Sequence, residues 1–196
     1  MAVSVKTFAA PPVNRREALR YAGVKQSTPE VEALLEECLG LLSGKLRYQV
    51  CWAQFPIERG EDGLNLGFVK TDSHDLSVNL EGCDSLILFA ATIGMEIDRL
   101  IARESRLSPA RAHMLQAVGV ERIESLCDAF NEEITQAYGP TRPRFSPGYG
   151  DVSLQMQRDV MRALGCSRQI GIALNENLMM SPTKSVTAII GIRRTA

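Results

Sequence analysis

Histidine is nearly absent: His74 and His113 are the only two among 196 residues. A histidine-rich metal centre is thereby excluded, and a Ser-His-Asp triad has few ways to form. Cysteine is sparse as well. Cys38, Cys51, Cys83, Cys127 and Cys166 form an odd set with no C-x-x-C pair, a spacing that favours buried thiols over disulfides or zinc. Neither sign of charge dominates, with 22 basic residues against 23 acidic ones, which argues against a nucleic-acid binder driven by phosphate neutralisation. The longest strongly apolar stretch, Leu86 to Ile93, falls far short of the ~20 residues that span a bilayer. Residues 1–17 lack a compact apolar segment, so no signal peptide and a cytoplasmic location are expected. There is no internal repeat and no low-complexity linker.

What remains is an ordinary globular composition, 45% hydrophobic, in a length that suits one domain. Asn14 caps a short helix that ends at Gly23. Thr28 caps a second, with Pro29 at its first position and Val31, Leu34, Leu35, Cys38 and Leu42 along one face. Residues 46–57 alternate and are rich in β-formers, and the turn Glu61-Asp62-Gly63 joins them to a second strand over 64–70 as a hairpin. Ser73 caps a short helix to Leu80, and Ser85 to Thr92 reads as a strand buried on both faces. A helix over 93–104 precedes the longest one, which starts at Ser108-Pro109 and runs to about Ala137. Gly119 inside it marks a place of close packing. Tyr138 to Asp151 concentrates proline and glycine in a loop. A helix over 153–164, a strand over 169–174 and a final strand over 185–192 complete the chain. The pattern predicts an α+β fold with a mixed, mainly antiparallel sheet and one long central helix, rather than a regular βαβ wind. Within this single domain, 1–84 would hold the N-terminal helices and hairpin, and 85–196 the ligand-site core.

The motifs carry less on their own. Asp72-x-His74-x-x-Ser77 lacks the glycine of a cobalt-ligating D-x-H-x-x-G signature, so it reads as a helix cap beside a surface histidine. Gly148-x-Gly150 lacks the third glycine and the preceding strand of a dinucleotide loop. Arg144 to Asp151 offers backbone open to close approach, with a guanidinium suited to a carboxylate. A tight structural turn with an exposed arginine accounts for the same residues. Glu124 lies at the border of an apolar helix face, either as a partner for a cationic ligand or as a rim charge. Glu121, Asp128, Glu132 and Glu133 read as a solvated face, and Met156, Met161, Met179 and Met180 as core filling.

Several segments together resemble the activation (reactivation) domain of cobalamin-dependent methionine synthase in a short free-standing form. Arg144-Phe145-Ser146-Pro147-Gly148-Tyr149 is similar to that family's R-x-x-P-G-Y loop. The order Ile170 to Leu174, Met180-Ser181-Pro182 and Ser185-Val186-Thr187 follows its G-x-x-L strand, M-x-P turn and S-V-S/T strand. Residues 121–130 match a helix bearing a ligand-facing glutamate, with Glu124 at that position. Residues 14–21, 80–83 and 90–94 resemble elements of the free-standing bacterial members.

The resemblance implies an S-adenosylmethionine site made of Glu124, Arg144, Phe145, Ser146, Pro147, Gly148 and Tyr149, with no catalytic acid, base or metal. It implies reductive methylation of cob(II)alamin carried by a separate corrinoid-binding methionine synthase subunit. One electron would come from a flavodoxin- or ferredoxin-like donor, and neither nucleic acid nor membrane would take part. The alternative is a module that docks on or chaperones a corrinoid protein without delivering methyl.

Overall fold

The computed structural model describes residues 2–61 and 63–193. Its centre is a four-stranded antiparallel sheet of β1 (Ser4–Thr7), β2 (Gln49–Pro56), β6 (Cys83–Thr92) and β9 (Ser185–Arg193), in the order β1-β2-β6-β9. The apolar run in β6 has a direct cause. Ile87, Phe89 and Ala91 enter one core while Leu86, Leu88 and Ala90 enter the other, because successive side chains leave a strand on opposite faces. A strand covered on both sides has no polar face to alternate with.

The first face is covered by α1 (Arg15–Tyr21), α2 (Pro29–Leu42), α4 (Glu96–Leu107) and α5 (Pro109–Tyr138). The starts of α1, α2 and α5 follow from their caps. Asn14, Thr28 and Ser108 each accept from the backbone N–H three residues on, at Glu17, Val31 and Arg111. Phe130 pins α5 to the sheet, its ring 4.9 Å from Phe89 and 5.3 Å from Trp52. Such pairs contribute about 0.5–1.5 kcal/mol beyond burial. This contact fixes the half of α5 that carries Glu124. Gly119 allows the close packing expected there, since a β-carbon would meet Lys184 Cε at 2.8 Å.

The second face is covered by α3 (His74–Asn79), α6 (Met156–Leu164), α7 (Cys166–Ile170) and a small sheet of β3 (Glu58–Gly60), β4 (Gly63–Asn65) and β5 (Lys70–Thr71). A two-residue ribbon pairs β7 (Ala173–Leu174) with β8 (Met180–Ser181). All five cysteines are buried and free.

Several expectations are corrected. The second hairpin strand expected over 64–70 is two short strands, and the turn joins β3 to β4, with Asp62 outside the described residues. β2 turns away from this hairpin to pair with β6. The helix expected from Ile93 starts at Glu96, because Gly94, at φ +85°, turns the chain first. Of the strand expected over 169–174, only β7 at Ala173–Leu174 forms; Gln169 and Ile170 end α7, which is bounded by Gly165 and Gly171 in left-handed conformation. β1 and β8 carried no sequence signal strong enough to be expected. Met179 is 62% exposed rather than core filling.

Candidate functional site

Residues 140–145 run along the outer edge of β9 and place Arg144. Arg142 N donates to Gly191 O, Phe145 N donates to Ile189 O at 2.9 Å, and Ile189 N returns a bond to Phe145 O at 2.8 Å. The segment therefore closes the sheet edge as a partial fifth strand, which satisfies backbone groups that would otherwise stand unpaired. It then doubles back. Gly148 N bonds Val152 O, and Tyr149 N bonds Ser146 O. Gly148 takes φ +90° and Gly150 φ +53°, conformations that glycine adopts without strain.

Asp151 anchors the far end of the loop. Its carboxylate accepts from the Ser73 hydroxyl, from His74 N at 2.8 Å and from Asp75 N at 3.3 Å, at the start of α3. The Ser73 hydroxyl above all, with the two amides, holds the Asp151 carboxyl below its ordinary range. Asp151 N in turn donates to Asp75 Oδ2.

With its loop fixed at both ends, Arg144 reaches the outward side of α5. Nη1 donates to Asp128 Oδ1 at 2.7 Å, and Nη2 donates to Glu124 Oε2 at 3.1 Å. Burial works to lower the guanidinium's pKa, but the Asp128 hydrogen bond and the neighbouring negative charges leave it raised. It stays charged at any working pH. Burial pushes the thiol of Cys127 up, so this fully buried group is no thiolate nucleophile.

Two residues expected at the site, Glu124 and Arg144, thus meet although 20 positions apart. Phe145 packs into the second core, Pro147 is buried, and Tyr149 points outward at 68% exposure. Ser146 and Gly148 are part of the turn. Asp128 was expected on a solvated face, and it is 67% exposed, yet it also holds Arg144. Its position four residues after Glu124, on the same helical face, is the signal that marks it.

Glu121 corrects the solvated-face expectation outright. It is 2% exposed and paired with Arg122, itself 3% exposed. Arg122 donates to Glu121 and to the carbonyls of Pro11 and Pro12, while Glu121 Oε1 accepts from Asn14 N and Ser125 Oγ. This buried hub clamps residues 11–14 against α5. The clamped strap forms one wall of an open cleft of about 570 Å³ whose other wall includes Ser125, Asp128 and Glu132. Asp128 therefore belongs both to the cleft and to the arginine cluster.

Fold and site define an α+β domain with a doubly covered antiparallel sheet and an arginine–carboxylate cluster between a long helix and an edge loop. The fold is that of the MetH reactivation domain. The crystal structure of that domain bound to AdoHcy superposes with a TM-score of 0.74 at 16% identity, covering 100% of this chain and 80% of that one. No protein-family model and no curated protein sequence matches the chain.

Proposed function

We propose that this chain binds S-adenosylmethionine at Arg144 and Glu124. In the cytoplasm it would support reductive methylation of cob(II)alamin on a methionine synthase subunit or related corrinoid protein, with a flavodoxin- or ferredoxin-like electron donor. The observation that carries the reading is the meeting of Arg144 and Glu124 at 3.1 Å. They meet on a fold shared with a domain whose crystal structure contains AdoHcy.

When bound, S-adenosylmethionine supplies a methyl group already activated by its sulfonium sulfur. The protein's work is then positioning. Arg144, fixed by the β9 edge, exchanges its internal carboxylates for that of the ligand, a bidentate match for a guanidinium. Glu124, released, faces the ammonium or sulfonium charge. The loop backbone over Phe145, Ser146, Pro147 and Gly148 would line the adenosyl part, with Tyr149 as a wall.

Calorimetric titration of S-adenosylmethionine tests this. Arg144→Ala is expected to weaken binding by about 1.5–3 kcal/mol, the magnitude of a lost charge-assisted contact. Unchanged affinity would refute the assignment. A second reading, a docking module for a corrinoid protein that delivers no methyl, is favoured by one observation: Arg144 already holds two carboxylates of its own chain. Under that reading Arg144→Ala leaves support of the partner intact, whereas under the first it abolishes methyl transfer.

A further inference from the structure

A ligand carboxylate that reaches Arg144 enters the field of two carboxylates. Asp128 lies 2.7 Å and Glu124 3.1 Å from the guanidinium nitrogens. They stand one helical turn apart, so a single guanidinium leaves the cluster with an excess negative charge. The adjoining cleft adds Glu132, while its one cation, Arg15, is engaged by Glu32 and Glu36. The surroundings therefore favour a ligand with net positive charge.

S-adenosylmethionine is such a ligand, with an ammonium, a sulfonium and one carboxylate. S-adenosylhomocysteine has the same ammonium and carboxylate, but its sulfur is a neutral thioether. We infer that Asp128 is a specificity residue that makes the site prefer the sulfonium form over its demethylated product. The inference rests on the binding reading above and adds to it a residue and a direction of discrimination. Asp128 does two things to a ligand. It competes for Arg144, which penalises both ligands alike because their carboxylates are identical. It also attracts the sulfonium, which only one of them carries. The ratio of the two affinities isolates the second effect, and the loss of the charge on methyl transfer would promote product release.

The test is calorimetric titration of both ligands into the wild type, Asp128→Asn and Asp128→Glu, at low and at moderate salt. The ratio of the S-adenosylhomocysteine Kd to the S-adenosylmethionine Kd is expected to fall about three- to tenfold in Asp128→Asn, as suits an exposed, screened charge. Asp128→Glu keeps the charge and should hold the wild-type ratio, and added salt should shrink that ratio. Binding of both ligands with the same ratio in Asp128→Asn as in the wild type overturns the inference and leaves the binding reading standing. Binding of neither ligand to the wild type overturns both.

Discussion

Replacing Glu121 by alanine should be among the most damaging single changes in the chain, although its side chain belongs to a run of acidic residues. Arg122 is 3% exposed and cannot shed its proton at any accessible pH. Without Glu121 its charge keeps the carbonyls of Pro11 and Pro12, at 2.6 and 2.7 Å, and the neutral Ser125 and Tyr48 hydroxyls, with no carboxylate among them. Asn14 N and Ser125 Oγ also lose their acceptor. Breaking a buried pair by removing one partner costs about 3–5 kcal/mol. At roughly 2–4 °C per kcal/mol for a chain of this size, the melting temperature should drop by roughly 6–20 °C. Thermal and urea unfolding followed by circular dichroism would measure it, with an unchanged urea slope showing that the change is one of stability. The double variant Glu121→Leu, Arg122→Met removes both charges and should cost less than the single one, because no uncompensated cation remains. A single-variant loss under about 1 kcal/mol, or a double variant worse than the single, would refute the argument.

Two further outcomes follow from the loop. Gly150→Ala forces φ +53° on a side chain and drives its β-carbon into the Asp75 carboxylate; a loss of about 1–2 kcal/mol in thermal unfolding is expected, with weaker S-adenosylmethionine binding as the loop shifts. Asp151→Asn tests the anchor through pH. The Asp151 carboxyl lies below its ordinary 3.8 in the folded state, so its stabilisation is present above that value and is lost as pH falls through the folded pKa. The variant should melt below the wild type at pH 6, with the gap narrowing as pH falls below 3.8; a gap independent of pH would refute the assignment.

Local chemistry made much of this protein legible in its sequence. Asn14, Thr28, Ser73 and Ser108 cap helices where their side chains demand it. The doubly buried β6 and the long α5 follow from an unbroken apolar run and from sustained helical spacing. The meeting of Glu124 with Arg144 was approachable only through resemblance, since nothing in the spacing of two residues on different elements brings them together. Tertiary structure decided the rest. Gly165 and Gly171 bound a short helix that takes up Gln169 and Ile170, so the strand suggested over 169–174 shrinks to Ala173–Leu174. Cys166 and Ile170 of that helix pack into the second core. Glu121 and Asp128 belong to the same acidic series on one helix, yet one is sealed beneath the residue 11–14 strap and the other stands in solvent beside Arg144. A helix sequence determines which way each side chain points from its own axis. Whether that direction meets water, a buried arginine or a ligand depends on what the rest of the chain lays against it.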